Sequence, residues 1–345
     1  MSESRPPQST VLEVRDLNTI FNTRDGEVHA VNHVDFSLAT GELLGVVGES
    51  GSGKSVTMMS LLKLLPSPPA EIVSGEILFE GRDVLKMTDE ALRELRGGDI
   101  GFIFQDPMTS LNPVFTVGYQ LTEALREHLD LSKKEARKRA AELLDKVGIA
   151  QPEQRLKDFP HQFSGGMRQR VMIAMALACE PKVLIADEPT TALDVTIQAQ
   201  ILELVRDLRR DQGMGIIWIT HDLGVVAGIA DRVIVMYGGQ IVEHAAVEAL
   251  FEDPRHPYTR ALLAAMPSVD AERSERLHSI AGQPPSLNQR PVSCSFAPRC
   301  EHAFGRCHEE NPPLIETSQG HQVACWLAHP QYMQPPSEMH FRESF

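Results

Sequence analysis

Leu43-Leu44-Gly45-Val46-Val47 runs directly into Gly48-Glu49-Ser50-Gly51-Ser52-Gly53-Lys54-Ser55. The first five residues are apolar without alternation, as in a strand buried on both faces. The next eight fit G-x-x-x-x-G-K-[ST], a loop whose glycines let successive backbone N–H groups curl around phosphate oxygens. The spacing assigns Lys54 to the β- and γ-phosphates and the Ser55 hydroxyl to Mg²⁺. Val56 opens an apolar helical stretch to Leu65, whose positive end points at the anion. Alone, the motif implies only a bound nucleoside triphosphate.

Two further apolar runs end in reactive residue types. Val183-Leu184-Ile185-Ala186 leads into Asp187-Glu188, and Ile216-Ile217-Trp218-Ile219 into Thr220-His221. Ligands of open α/β sheets bind beyond the carboxyl ends of strands, so three such ends point to one shared site. Asp187 is expected to hold Mg²⁺ through water and Glu188 to orient the attacking water. Phosphoryl transfer needs positioning and charge neutralisation more than covalent help. The structural alternative for the pair is a helix N-cap. His221 is placed to sense the γ-phosphate, and Gln105, after Ile100 to Phe104, to ligate Mg²⁺ or water. Each of these two is weak by itself, since a lone histidine after a strand is more often structural.

Phe163-Ser164-Gly165-Gly166-Met167-Arg168-Gln169 makes a second glycine-rich helix start. One triphosphate does not need two cradles in one chain. A head-to-tail dimer resolves this, with Ser164, Gly165, Gly166 and Gln169 of one subunit closing over phosphates held by the other.

The chain has 345 residues, a soft prior of two domains. Its net charge of −14 argues against a nucleic-acid partner, which favours basic faces. The longest apolar run, Val171 to Cys179, has nine residues, against about 20 for a membrane-spanning helix. MSESRPPQST has no secretory pattern, so a cytoplasmic setting with reduced thiols is the expectation. Alternating short apolar runs and helical patterns predict an α/β fold with a largely parallel sheet. Within the helical stretch from Thr116 to Asp158, Ser132-Lys133-Lys134-Glu135 is a capping box. Its basic run, Lys133 to Arg139, reads as a solvated face. Composition splits the chain near Pro267. Residues 268–345 hold nine of the 23 prolines, four of the five cysteines and no lysine, and read as a loop-rich appendage rather than a regular core.

The order Gly48–Ser55, Gln105, Ser164–Gln169, Val183–Glu188, Ala192-Leu193-Asp194 and His221 resembles the nucleotide-binding subunits of ABC transporters, over residues 10 to 250. Phe163 and Met167 stand where the usual signature has Leu and Gln. Ala192 to Gln200, His256-Pro257-Tyr258-Thr259-Arg260 and Cys294-Ser295-Phe296-Ala297-Pro298-Arg299-Cys300 narrow the resemblance to the ATP-binding subunits of bacterial peptide importers. The resemblance implies an ABC-type P-loop ATPase domain at 10–267, with a RecA-like core, an antiparallel β-layer and a helical subdomain at about 106–180. It also implies a Cys-containing extension at 268–345. It implies ATP and Mg²⁺, two transmembrane permeases contacted by the subdomain and Gln105, and a second ATPase subunit, sister or copy. A solute-binding protein and a place on the cytoplasmic face of the cell membrane follow from the same likeness. An aromatic should stack on adenine, and Phe21 and His29 are the candidates.

Cys294, Cys300, Cys307 and Cys325 have five, six and seventeen residues between them, without Cys-x₂-Cys knuckles. Four thiolates could hold a [4Fe–4S] cluster, which the family resemblance implies for some members. Zinc and free thiols are the alternatives, and Cys179 reads as core. The functional readings are peptide import, import of a related solute such as a nickel chelate or glutathione, and a soluble ABC ATPase uncoupled from transport. A nucleotide-gated electron-transfer protein is a further reading, opposed by the intact signature cluster.

Overall fold

Every side chain of β3 (Leu43–Val47) is buried, so the strand needs cover on both faces and belongs in the middle of a sheet. In the computed structural model, which describes residues 9–106, 110–190, 195–266 and 280–331, β3 lies between two parallel neighbours. These are β8 (Gly215–Ile219) and β9 (Arg232–Tyr237). Beyond β8 come β7 (Val183–Asp187) and β6 (Ile100–Ile103), also parallel. Val46 and Asp187 both stand opposite Ile219, so β3, β7 and β8 finish level at one edge.

A second sheet is antiparallel. Its order is β2 (Gly26–Ala39), β1 (Thr10–Thr23), β4 (Ala70–Phe79) and β5 (Arg82–Asp83). Its apolar face, including Leu12, Val34, Phe36 and Phe79, packs with Val46, Ile217 and Ile219 of the central sheet. Helix α1 (Lys54–Leu61) lies in this layer through Met58 and Leu61.

Helix α2 (Asp89–Leu95) is capped by Thr88, whose hydroxyl accepts the Ala91 N–H at 3.3 Å. The helical layer then comprises α3 (Val117–Leu129), α4 (Lys133–Lys146), α5 (Pro152–Arg155) and α6 (Gly165–Ala176). At α4 the capping box forms. Ser132 Oγ accepts the Glu135 N–H at 3.3 Å, and the Glu135 carboxylate accepts the Ser132 N–H at 3.0 Å. Ala136, Ala140, Leu143 and Leu144 make its buried stripe, while Lys133, Lys134, Arg137 and Lys138 are exposed. Helices α7 (Val195–Gln212) and α8 (Leu223–Ile229) cover the same face of the central sheet through Ile201, Val205, Val226 and Ile229.

The tail is largely loop, as expected, but it also adds two short strands to the central sheet. β10 (Gln240–Ala246) pairs antiparallel with β9, and β12 (His321–Val323) pairs antiparallel with β10. β11 (Ile315–Ser318) then pairs with β12. The tail thus extends the central sheet to eight strands. Strands of four and three residues carry too little periodicity to read from sequence. They form because β10 offers a free edge. Phe296 is also buried, against Tyr237 and Tyr258, with ring centroids 5.3 and 5.4 Å away.

Helices α9 (Val247–Glu252) and α10 (Pro257–Ala264) follow β10. Beside them Glu243 is fully buried, accepting the N–H groups of Arg255 at 2.7 Å and His256 at 3.0 Å. Its carboxylate also meets His321 Nε2 at 2.8 Å. His256 caps α10, its Nδ1 accepting the Tyr258 N–H at 3.0 Å. That bond requires an unprotonated Nδ1. Burial pushes the His256 pKa down to about 3, and burial followed by Arg232 pushes His244 down to about 4. An unfolded imidazole titrates near 6.5, so between that pH and the folded values the unfolded chain binds more protons. Stability therefore falls as pH falls. From pH 7 to pH 5 the loss is about 2 kcal/mol for each histidine. Thermal melts across that window should show the loss, and His256→Gln should flatten the profile. An equally steep profile in that variant contradicts the assignment to His256.

Candidate nucleotide site

The turn after β3 is shaped by close approaches that only glycine permits. A Cβ on Gly48 would lie 2.3 Å from the Met236 carbonyl oxygen, at φ +151°. One on Gly53, at φ +99°, would lie 2.6 Å from the carbonyl oxygen of Ala30. The loop is thereby pressed between β9 and β2. Lys54 is buried, its Nζ donating to the carbonyls of Gly48 at 2.8 Å and Glu49 at 2.9 Å. Burial lowers its pKa, opposed by the charges of Glu188, Asp187 and Glu49. Ser52 Oγ is buried with no hydrogen-bond partner among the described residues.

The three strand ends converge. Ser55 Oγ donates to Asp187 Oδ1 at 3.0 Å. Burial raises the Asp187 pKa, while the Ser55 bond pulls it down. Glu188 follows with φ +46°, a left-handed conformation uncommon for a residue with a side chain. Strain of this kind gathers at functional sites. Glu188 Oε2 accepts from Gln105 Nε2 at 3.1 Å and lies 3.3 Å from His221 Nδ1. Asp187 thus meets Ser55, while Glu188 meets Gln105 and His221.

Ser164, Gly165 and Gly166 open α6, with Ser164 Oγ accepting the Met167 N–H at 3.3 Å. Ser164 and Gly165 are exposed. Gln169 differs from its expected place beside them. It is buried, and its amide donates to the Pro189 carbonyl at 2.7 Å, tying α6 to the residue after Glu188. Val56 is half-buried against the core under the antiparallel sheet. Ala192, Leu193 and Asp194 lie outside the described residues. Of the two adenine candidates, His29 adjoins Ala30, whose carbonyl touches the Gly53 position, and Phe21 stands opposite Val28.

Comparison with known proteins decides the family. An ABC transporter family model matches residues 31–191, and a model for the C-terminal region of oligopeptide/dipeptide transporters matches residues 242–307. The oligopeptide transport ATP-binding protein of Bacillus subtilis (strain 168) is 56% identical over 328 residues, covering 94% of this chain and 92% of that one. The chain belongs to the ATP-binding subunits of ABC peptide transporters. The dipeptide transport ATP-binding protein of the same organism is 52% identical over 317 residues, covering 92% and 94%. A dimeric ATP-binding cassette, solved in a post-hydrolysis state with ADP and phosphate, aligns with TM-score 0.63 and 28% identity. That alignment covers 68% of this chain and 98% of the cassette. No helix of this subunit among the described residues is long and apolar enough to cross a membrane.

The site fits the Mg²⁺ and ATP that an ABC ATPase uses. Ser55 and Asp187 set hard oxygen donors side by side, as Mg²⁺ prefers, and would be the residues to hold it. The described residues do not support the expected [4Fe–4S] cluster at the tail thiols. No group of three or more His, Cys, Asp or Glu among the described residues is gathered to hold a metal ion. Cys294 packs against the cluster of Cys307, Ala297 and Trp326, its N–H donating to the Cys307 carbonyl at 3.0 Å, while Cys300 lies against the main core and Cys325 is buried with Val323 and Ala328. Burial raises the Cys294 and Cys300 pKa values and pushes Cys325 up to about 11. Cys179 is likewise pushed up to about 11 by burial against the core.

Sequence reasoning missed two residues at the phosphate loop. The Tyr258 hydroxyl accepts the Glu49 N–H at 2.8 Å. Arg299 clasps the Glu49 carboxylate with both terminal nitrogens, at 2.6 and 3.0 Å. Their motifs, His256–Arg260 and Cys294–Cys300, served only as marks of family, and nothing in the spacing pointed back to Glu49.

Proposed function

We propose that this subunit pairs head to tail with a second ATPase subunit and drives peptide import through two permeases at the cytoplasmic face of the membrane. A solute-binding protein delivers the peptide. The observation that carries this reading is the convergence of Lys54, Ser55, Asp187, Gln105, Glu188 and His221 at three level strand ends.

In this mechanism the residues from Gly51 to Val56 wrap the phosphates, and Lys54 leaves the carbonyls of Gly48 and Glu49 for phosphate oxygens. Ser55 and Asp187 hold Mg²⁺, which neutralises phosphate charge. Glu188 accepts a proton from the attacking water, and His221 holds Glu188 and the γ-phosphate in line. Ser164, Gly165 and Gly166 of the partner close the site, with their exposed helix N-terminus facing phosphate. Gln169 acts from behind by bracing Pro189. ATP favours the closed pair, and loss of the γ-phosphate contacts reopens it.

Permease docking is supported by a groove of about 240 Å³ lined by Leu62, Leu64, Phe102, Phe104, Met172 and Met175. Phe104, Val114, Phe115 and Tyr119 are exposed close to Gln105 in sequence. Such an apolar surface favours a partner of similar character.

Affinity purification of tagged subunit from detergent-solubilised membranes, with mass spectrometry, tests the reading. The expected result is two multi-spanning permeases and an ATPase partner. Recovery in the soluble fraction without permeases would move an uncoupled soluble ATPase ahead.

A further inference from the structure

We propose that Arg299 and Tyr258 are positioning residues for ATP binding. Through Glu49 they hold the phosphate loop in its phosphate-ready shape, so the C-terminal extension sets the nucleotide affinity. This rests on reading residues 48–55 as the ATP cradle.

The two contacts grip one residue from both sides. Tyr258, fully buried, takes the backbone N–H of Glu49, and Arg299 takes its carboxylate through a two-point fork. The Arg299 side chain is only 4% exposed, against 27% for Glu49. It is fixed in turn by the carbonyls of Ala281 at 2.9 Å and Ile280 at 3.2 Å, and it donates to the Tyr237 hydroxyl at 3.2 Å. A guanidinium with this many fixed partners has one orientation available, and planar fork geometry defines the carboxylate plane. The Ser295 side chain meanwhile abuts Gly238, whose neighbour Gly239 donates to the Ser52 carbonyl at 3.0 Å. The extension therefore reaches the loop at Glu49 and, through Gly238 and Gly239, at Ser52. Neither contact occupies the side chains assigned to phosphate or Mg²⁺. An arrangement serving only to attach the tail would not need to converge on the second residue of the loop.

The test uses the assembled transporter and the ATP dependence of its turnover. Arg299→Gln should raise KM for ATP about tenfold, equivalent to about 1.4 kcal/mol of binding, with kcat within twofold. Arg299→Lys keeps the charge but loses the fork, and should fall between. Glu49→Gln should raise KM similarly, and the double variant should be no worse than either single, because both remove one interaction. Arg306→Gln is the control for tail integrity, since Arg306 lies over Trp326 at 3.8 Å within the extension. It should leave KM unchanged. Should Arg299→Gln fail to fold, Tyr258→Phe removes the acceptor for the Glu49 N–H and must raise KM on its own. Wild-type KM in the Arg299 and Tyr258 variants, additive Arg299 and Glu49 effects, or an equal KM rise in Arg306→Gln would overturn the proposal. A wild-type complex that does not hydrolyse ATP would instead overturn the cradle reading.

Discussion

Glu188→Gln is expected to bind ATP and lose turnover on the order of 10³-fold, the range for removing a positioned general base. The amide is the same size as the carboxylate, so Gln105 and His221 keep a neighbour of similar shape. What disappears, in the proposed mechanism, is the acceptor for the proton of the attacking water. Asp187, Ser55 and Lys54 are untouched, and nucleotide affinity should change little. In the proposed mechanism the paired subunits reopen on loss of the γ-phosphate, so ATP should accumulate the closed pair, visible as a larger species in size-exclusion chromatography. A variant that turns over at the wild-type rate would remove Glu188 from the role assigned here.

The second large effect is expected for Gly48→Ala. The added methyl would stand 2.3 Å from the Met236 carbonyl oxygen and 2.8 Å from Ser52 Oγ, on a backbone at φ +151°. The Met236 carbonyl belongs to β9, which pairs with β3 along its length and has little room to retreat. The strain should fall on the phosphate loop. Overpacking of this kind, with a disfavoured φ, costs about 3 kcal/mol. The variant should melt several degrees lower and lose ATP binding. Gly26→Ala is the comparison, since a Cβ there meets nothing within 4 Å despite φ +122°. Wild-type ATP affinity in Gly48→Ala would show that the loop does not depend on this close approach.

These two variants touch what the sequence makes most legible. The phosphate loop, the acidic pair and His221 can be read because each follows a short apolar run. Fully buried parallel strands declare themselves by composition, and their ends declare the site. The capping box at Ser132 is readable for a similar reason, since donor and acceptor lie three residues apart. Other features have no local signature. Gln169 looks like part of the signature loop, and only the fold turns its amide toward Pro189. Strands β11 and β12 are visible only once β10 presents an edge to them. The pair formed by Arg299 and Glu49 spans 250 positions of chain, and no periodicity connects them. The tail cysteines also lack a local signature, since Cys294 packs in one cluster with Cys307 without any Cys-x₂-Cys spacing to announce it.

The central claim is that ATP hydrolysis at Glu188 powers peptide import. Peptide uptake into proteoliposomes holding this subunit, its ATPase partner, both permeases and the solute-binding protein tests it most directly. With ATP on the side of the ATPase subunits, the wild-type complex is expected to accumulate peptide and release phosphate together. The Glu188→Gln complex is expected to do neither while still binding ATP. Peptide accumulation that continues in the Glu188→Gln complex, or wild-type phosphate release with no uptake of any peptide its binding protein captures, would contradict the account.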